Sequence, residues 1–260
     1  MVWATAFGAV IGLMLGLLGA GGSILAVPAL VYGVGQPLET AIPTSLAIVA
    51  LSSVSGLLPR QRRNAVQWPV ALVFGAAGVP AAFAGTALGS AVPQRWLLLA
   101  FAALMLVVAV RMLRGGDEHV GACRTRDGGV NWRSCLPKSV LAGAAVGVLT
   151  GLFGVGGGFV VVPALALLLG LSAQQAVATS LVVVLINSVA GLAAHAGTAD
   201  QIDYGVLAVF AGAAAAVSAA SARMSGRLDP ASVRRWFAVV VIVVAAFVAA
   251  AAVVHPAALG

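Results

Sequence analysis

Eight apolar stretches of about 18–22 residues recur along this chain, at 2–20, 39–58, 69–90, 96–113, 138–155, 173–194, 205–222 and 234–254. Each is long enough to cross a hydrocarbon layer of about 30 Å as an α-helix. A chain with so many spans has little choice of fold. In lipid every backbone polar group must find a partner within the protein, so the runs are read as helices. The composition agrees: 62% of residues are hydrophobic, 8% are charged and the mean hydropathy is +1.10. An ordinary soluble domain is excluded.

Residues 2–20 could be read as a signal peptide, because they end in small residues. Two facts oppose this. No basic residue precedes the run, and a related segment returns inside the chain at 138–155.

That return belongs to an internal duplication. Residues 16–58 align without a gap on residues 151–193, and 19 of 43 positions are identical. Gly16-Leu17 and Gly19 return as Gly151-Leu152 and Gly154. Gly21-Gly22 returns as Gly156-Gly157, and Val27-Pro28-Ala29-Leu30 as Val162-Pro163-Ala164-Leu165. Further on, Thr44-Ser45-Leu46 becomes Thr179-Ser180-Leu181, and Ser53-Val54 becomes Ser188-Val189. Two membrane halves, each with a glycine break and then a proline inside apolar sequence, form the sequence pattern of a secondary transporter.

The clustered glycines make a continuous helix costly, at about 1 kcal/mol each relative to alanine. Backbone that leaves helical geometry within a membrane must be buried in protein or line a wet cavity. The short pieces 23–34 and 158–170 that follow restart a helix. Their first N–H groups are free, and the helix dipole places partial positive charge there. Such a start can hold an anion. Pro28 and Pro163 then remove one N–H each and release the carbonyls of Ile24 and Phe159. Neither break carries a basic residue in sequence, so an anion would be held by N–H groups and hydroxyls. Ser23 is the nearest hydroxyl in the first half, and Gly158 stands in its place in the second.

Candidate solute-contacting residues are therefore Gly19, Gly21, Gly22, Ser23, Pro28, Thr44 and Ser45 in the first half. In the second they are Gly154, Gly156, Gly157, Gly158, Pro163, Thr179, Ser180 and Asn187. Ser52, Ser53, Asn187 and Ser188 lie about two turns beyond the Thr-Ser pairs, on roughly the same helix face. Asn187 is the most polar side chain inside an expected span. The bland alternative is that glycines and hydroxyls serve helix packing alone.

Net charge is +7, but the basic residues sit in or beside expected loops, which makes them topology signals. If each half crosses the membrane an odd number of times, 13 of the 14 Lys and Arg face the cytoplasm and only Arg95 lies outside. An even number leaves 9 inside. The first arrangement follows the positive-inside rule, and it inverts the second half relative to the first. The expected organisation is an all-α polytopic membrane protein of about 8 to 10 helical segments in two inverted-topology repeats. These are residues 1–114, a cytoplasmic linker at 115–137, and 138–260. Whether 2–20 and 23–34 form a hairpin or both cross stays open at this point. Cys123 and Cys135 fall in the linker, where a reducing compartment favours two free thiols.

No Asp, Glu, Lys or Arg lies at the centre of an expected span; Glu39 opens one, and His195 and His255 lie at span ends. No nucleotide loop, metal-ligand cluster or nucleophile–base pair is legible, so no cofactor, metal or enzymatic activity is expected. The expected partners are a small anionic substrate and the lipid bilayer, with no nucleic acid; oligomeric state is not legible.

The paired Gly-x-Gly-Gly-x-x-x-x-Val-Pro elements, Gly19–Pro28 and Gly154–Pro163, resemble those of the TauE/SafE sulfite exporter family. Each is followed by Ala-x-x-Thr-Ser-Leu, at 41–46 and 176–181. The resemblance spans essentially the whole chain. Ser23 stands where a third glycine is common, and Pro43 interrupts the first Ala-x-x-Thr-Ser-Leu. The resemblance implies a multi-pass transporter of the bacterial inner membrane for small anions such as sulfite, sulfonates or related organosulfur compounds. An anion channel and a non-catalytic membrane assembly subunit are the alternatives.

Overall fold

A computed structural model describes residues 2–19, 22, 26–27, 29–61, 65–89, 94–114, 132–153, 158–194 and 204–224, with scattered positions between 232 and 249. Among the described residues all regular structure is helical. The elements are α1 (Val2–Leu18), α2 (Ala29–Val34, a short π-helical piece), α3 (Leu38–Gln61), α4 (Trp68–Gly89) and α5 (Gln94–Arg114). They continue as α6 (Trp132–Phe153), α7 (Gly158–Leu167), α8 (Ala173–Ala194) and α9 (Tyr204–Met224). Among the described residues four stretches are long and apolar enough to cross a membrane: Thr40–Arg60, Trp68–Gly85, Gln174–Ala193 and Tyr204–Met224. Large apolar side chains such as Leu51, Leu72, Phe83 and Leu141 point outward, as lipid-facing positions should. Trp68, Trp96 and Tyr204, near the starts of α4, α5 and α9, are also exposed, the usual place for interfacial aromatics.

Close backbone contact organises the bundle. Along α1, Gly8, Gly12 and Gly16 meet the backbone of Phe210, Ala214 and Ser218 on α9, so the two helices run parallel. Along α6, Gly143 and Gly147 meet the backbone of Phe74 and Gly78 on α4, again in parallel. The two glycine pairs stand 135 residues apart, like the motifs at 16–58 and 151–193. In lipid no hydrophobic force pulls apolar helices together, so dispersion at this close approach holds them. Interhelical hydrogen bonds add less, about 0.6 kcal/mol each. One is the Ser218 hydroxyl donating to the Ser52 carbonyl at 3.0 Å.

Helices α3 and α8 run antiparallel. A Cβ added at Gly191 would lie 3.1 Å from a Leu46 methyl, and one at Gly56 would lie 3.5 Å from a Leu181 methyl. Adding 135 to the first-half member of either pair gives the second-half member of the other.

The short pieces end alike. Gly35 and Gly170 take positive φ, 79° and 68°. The Gln36 N–H bonds to the Leu30 carbonyl at 3.1 Å, and the Leu171 N–H to the Leu165 carbonyl at 3.2 Å. Each bond reaches back six residues, one more than the six-to-one bond of a Schellman cap, and closes the end of its helix around a left-handed glycine. A reciprocal capping box then starts α8. Its Ser172 Oγ accepts from the Gln175 N–H at 3.4 Å, while the Gln175 side chain accepts from the Ser172 N–H at 3.3 Å.

The chain after the first break turns back along α1, because Gly22 lies beside Ile11 and Leu15. Arg60, at the far end of α3, also meets Gly16, near the C-terminal end of α1. The segment between must therefore return before α3 begins, so the chain folds back along α1.

Helix α6 starts at Trp132, ahead of the apolar run at 138–155, since a helix can continue beyond the stretch that hydropathy detects, here through Arg133 and Lys138. One expectation is corrected. Cys135 is not a free loop thiol. It is disulfide-bonded and fully buried on α6, with its sulfur 3.6 Å from Ser139 Oγ. Cys123 and His119 lie outside the described residues.

Candidate functional site

Helix α1 ends at Gly19, whose N–H bonds to the Leu15 carbonyl at 2.9 Å and whose φ is +82°. That conformation suits glycine and costs other residues about 1–2 kcal/mol. Space is also lacking. A Cβ at Gly19 would sit 2.6 Å from Ser180 Oγ and 2.8 Å from the Val177 carbonyl. The break of the first half thus rests on the Thr-Ser element of the second.

The four expected hydroxyls are buried and engaged with backbone. Thr44 donates to the Thr40 carbonyl at 2.7 Å, Ser45 to Ile42 at 2.7 Å and Ser180 to Val177 at 2.9 Å. Thr179 Oγ1 accepts from the Gln67 N–H at 3.1 Å, tying α8 to the start of α4. Back-bonding of this kind is the ordinary behaviour of Ser and Thr within helices. The two Thr-Ser elements do not come together. With Leu46 level with Gly191 and Gly56 level with Leu181, Ser45 and Ser180 stand about twelve residues apart, roughly 18 Å along the pair. A small oxyanion cannot touch both. Gly158 opens α7 and Pro163 is buried within it. Gly21, Ser23, Pro28, Gly154, Gly156 and Gly157 lie outside the described residues.

Between those elements sits a different group. Ser52 Oγ, Ser53 Oγ and Asn187 Oδ1 are buried and have no hydrogen-bond partner. Ser52 and Ser53 are 0% exposed. Asn187 and Ser188 are the 135-residue counterparts of Ser52 and Ser53. By the same register, all four lie within about a turn of the midpoint of the α3–α8 pair.

Sequence reasoning missed the role of Arg60. It counted this residue with the basic loop, whereas the side chain is buried, 5% exposed. Its guanidinium donates to the Gly56 carbonyl at 3.1 Å and to the Gly16 carbonyl in the last turn of α1. A cation at that position complements the C-terminal end of the helix dipole. The first break therefore has a basic neighbour, supplied by α3 rather than by its own segment. Its signal in sequence was an arginine inside the last turn of a span, four residues after Gly56.

A profile of the sulfite exporter TauE/SafE family matches residues 4–248. The chain belongs to the TauE/SafE family. A protein of Xylella fastidiosa (strain Temecula1), named "Probable membrane transporter protein", is 37% identical over 179 residues, covering 68% of this chain and 67% of the relative. YdhB of Bacillus subtilis, "Probable membrane transporter protein YdhB", is 29% identical over 189 residues, 70% of this chain and 73% of its own length. "Probable membrane transporter protein MJ0441" of Methanocaldococcus jannaschii is 26% identical over 194 residues, with 72% and 69% covered. No solved structure matches the chain. Membership and the apolar helices make this TauE/SafE chain a multi-pass membrane transporter. Its family match spans both glycine–proline elements, α3, α8 and Arg60.

Proposed function

We propose that the protein is a secondary transporter carrying a small oxyanion across the bacterial inner membrane, with sulfite, a sulfonate or another organosulfur anion as its solute. The observation that carries this reading is the contact of the first glycine break with Ser180 of the other half. A break packed across the halves must move, or lose that contact, when one half shifts against the other. The exchange of the Leu46–Gly191 and Gly56–Leu181 contacts under the 135-residue offset supports two inverted repeats. Two half-sites follow, one near each break, rather than a single ring of hydroxyls.

The basic residues give the orientation, with loops 62–67 and 115–131 and the region after Met224 on the cytoplasmic side. The disulfide at Cys135 is the one observation that pulls the other way, because cytosolic disulfides are rare. The charge asymmetry, 13 of 14 basic residues, is taken to decide.

A proteoliposome uptake screen tests the reading, with sulfite, sulfate, thiosulfate, taurine and sulfoacetate, with and without a pH gradient. Saturable uptake of sulfite or a sulfonate is expected, and Gly157→Val should abolish it while leaving membrane insertion intact. Flux that rises linearly with concentration would favour a channel. A protein that carries no anion but copurifies with a partner would favour an assembly subunit.

A further inference from the structure

Three polar atoms at the centre of the bundle do no structural work. Ser52 Oγ, Ser53 Oγ and Asn187 Oδ1 are buried without partners, at the level where the two halves meet. A buried hydroxyl or amide oxygen left unpaired costs free energy, more so in a low-dielectric interior. Replacing it with an apolar group would be neutral or favourable. Three such atoms on two facing helices therefore indicate a ligand.

Helix geometry brings them towards each other. Ser53 lies two turns from Leu46, on the stripe of α3 that meets Gly191. Asn187 lies one turn from Gly191, on the stripe of α8 that meets Leu46. In the antiparallel register Ser53 and Asn187 differ in level by about three residues, or roughly 4.5 Å. The Ser218 hydroxyl holds the Ser52 carbonyl at 3.0 Å, fixing α9 against the same turn.

The charge of the surroundings narrows the ligand. Helices α1, α4, α7 and α8 contain no Asp, Glu, His, Lys or Arg. Glu39 and Arg60 lie at the two ends of α3, and Tyr204 and Arg223 at the two ends of α9. The nearest described charge is the single Arg60 guanidinium, bonded to the Gly56 carbonyl about one turn beyond Ser53. The cost of desolvating an ion there grows with the square of its charge, so a monovalent anion is favoured over a divalent one. The donors and acceptors narrow it further. Two serine hydroxyls can donate to anionic oxygens, whereas Asn187 Oδ1 can only accept. An anion that itself carries an O–H group satisfies all three.

Building on the transporter reading above, we propose that Ser52, Ser53 and Asn187 form the central station of the transport path, and that it takes a monovalent, hydrogen-bearing oxyanion of the hydrogensulfite type. The two break-side elements then serve as entry and exit, with this station between them.

Two measurements test the station. The first uses wild-type protein in proteoliposomes with equal pH inside and out. At constant total sulfite, initial uptake should fall as pH rises, in proportion to the hydrogensulfite fraction. Sulfate, divalent throughout, should not compete, and methanesulfonate, which lacks the O–H, should compete about tenfold more weakly than sulfite at low pH. Uptake that is independent of pH or rises with it, or sulfate that competes as well as sulfite, would overturn the proposal.

The second uses Ser53→Ala and Asn187→Leu. In detergent without ligand each should melt at or above the wild-type Tm, because an unpaired buried group has been removed. Each should lose the sulfite-induced rise in Tm and show a KM for sulfite about tenfold higher. A lower ligand-free Tm together with an unchanged KM would mean that these atoms hold only structure or water. Wild-type protein that carries no oxyanion would overturn the transporter reading and this proposal with it. Uptake that both variants retain unchanged would overturn the station alone.

Discussion

Gly19 is where the duplicated motif becomes a physical constraint. Its positive φ and its contact with Ser180 Oγ both exclude a side chain. Gly19→Ala should lower stability by about 1–2 kcal/mol from backbone conformation alone. A further loss should come from the collision with Ser180, read as a lower Tm in detergent. An unchanged Tm would show that the break is not held as described. Arg60 acts at the same end of α1. Arg60→Gln removes the fork that bridges two carbonyls, and its expected cost is about 2–3 kcal/mol. Arg60→Lys should recover little of it, since a single ammonium does not reproduce that geometry. Gly19 was legible in sequence because it belongs to a repeated motif. Arg60 was not, because its role depends on where the end of α3 lies relative to α1, and no local pattern encodes that. The hydroxyls of Thr44, Ser45 and Ser180 were found as residues but not in their roles, since back-bonding to their own helices follows from backbone geometry.

At the scale of elements the sequence was most informative. Hydropathy placed the long helices to within a few residues, since spanning length is set by bilayer thickness. It failed at the start of α6, where Arg133 and Lys138 hide a helix that continues beyond the apolar run. It also left open how the first two segments sit, and the position of Gly22 beside Ile11 and Leu15 shows that the chain folds back along α1. Of the caps at Gly35 and Gly170, sequence shows only that these two glycines align under the 135-residue offset. Their function appeared with the bonds from Gln36 and Leu171. A Cβ at Gly35 would meet nothing within 4 Å, so Gly35→Ala isolates backbone strain. The expected loss is about 1–2 kcal/mol. A loss at Gly170→Ala of at least that size is expected if both residues serve the same cap. Thermal unfolding of the two variants in detergent checks this, and no loss at either would contradict the shared cap.

For the whole molecule, the duplication predicted two halves, and the contacts between α3 and α8 give the halves a testable relation. Two cysteine pairs, Leu46→Cys with Gly191→Cys and Gly56→Cys with Leu181→Cys, should each cross-link with a short bifunctional reagent. Linkage of one pair but not the other would contradict an antiparallel, reciprocal packing. The parallel glycine contacts of α1 with α9 and of α6 with α4 were not read from sequence, although Gly8, Gly12, Gly143 and Gly147 carry the same offset. They lie before the aligned stretches, among apolar residues too degenerate to align by eye. Depth along the bundle was the other quantity that sequence could not supply. It separates the Thr-Ser elements and leaves Ser52, Ser53 and Asn187 at the centre.

Alternating access through two such halves is tested most directly by counterflow. Proteoliposomes are loaded with a high concentration of unlabelled sulfite and diluted into a trace of labelled sulfite. Transient accumulation of label above the external concentration is the expected result, because each outward trip of unlabelled solute returns a site that captures label. Label that merely equilibrates, at a rate unaffected by the internal load, would contradict alternating access and point to a channel.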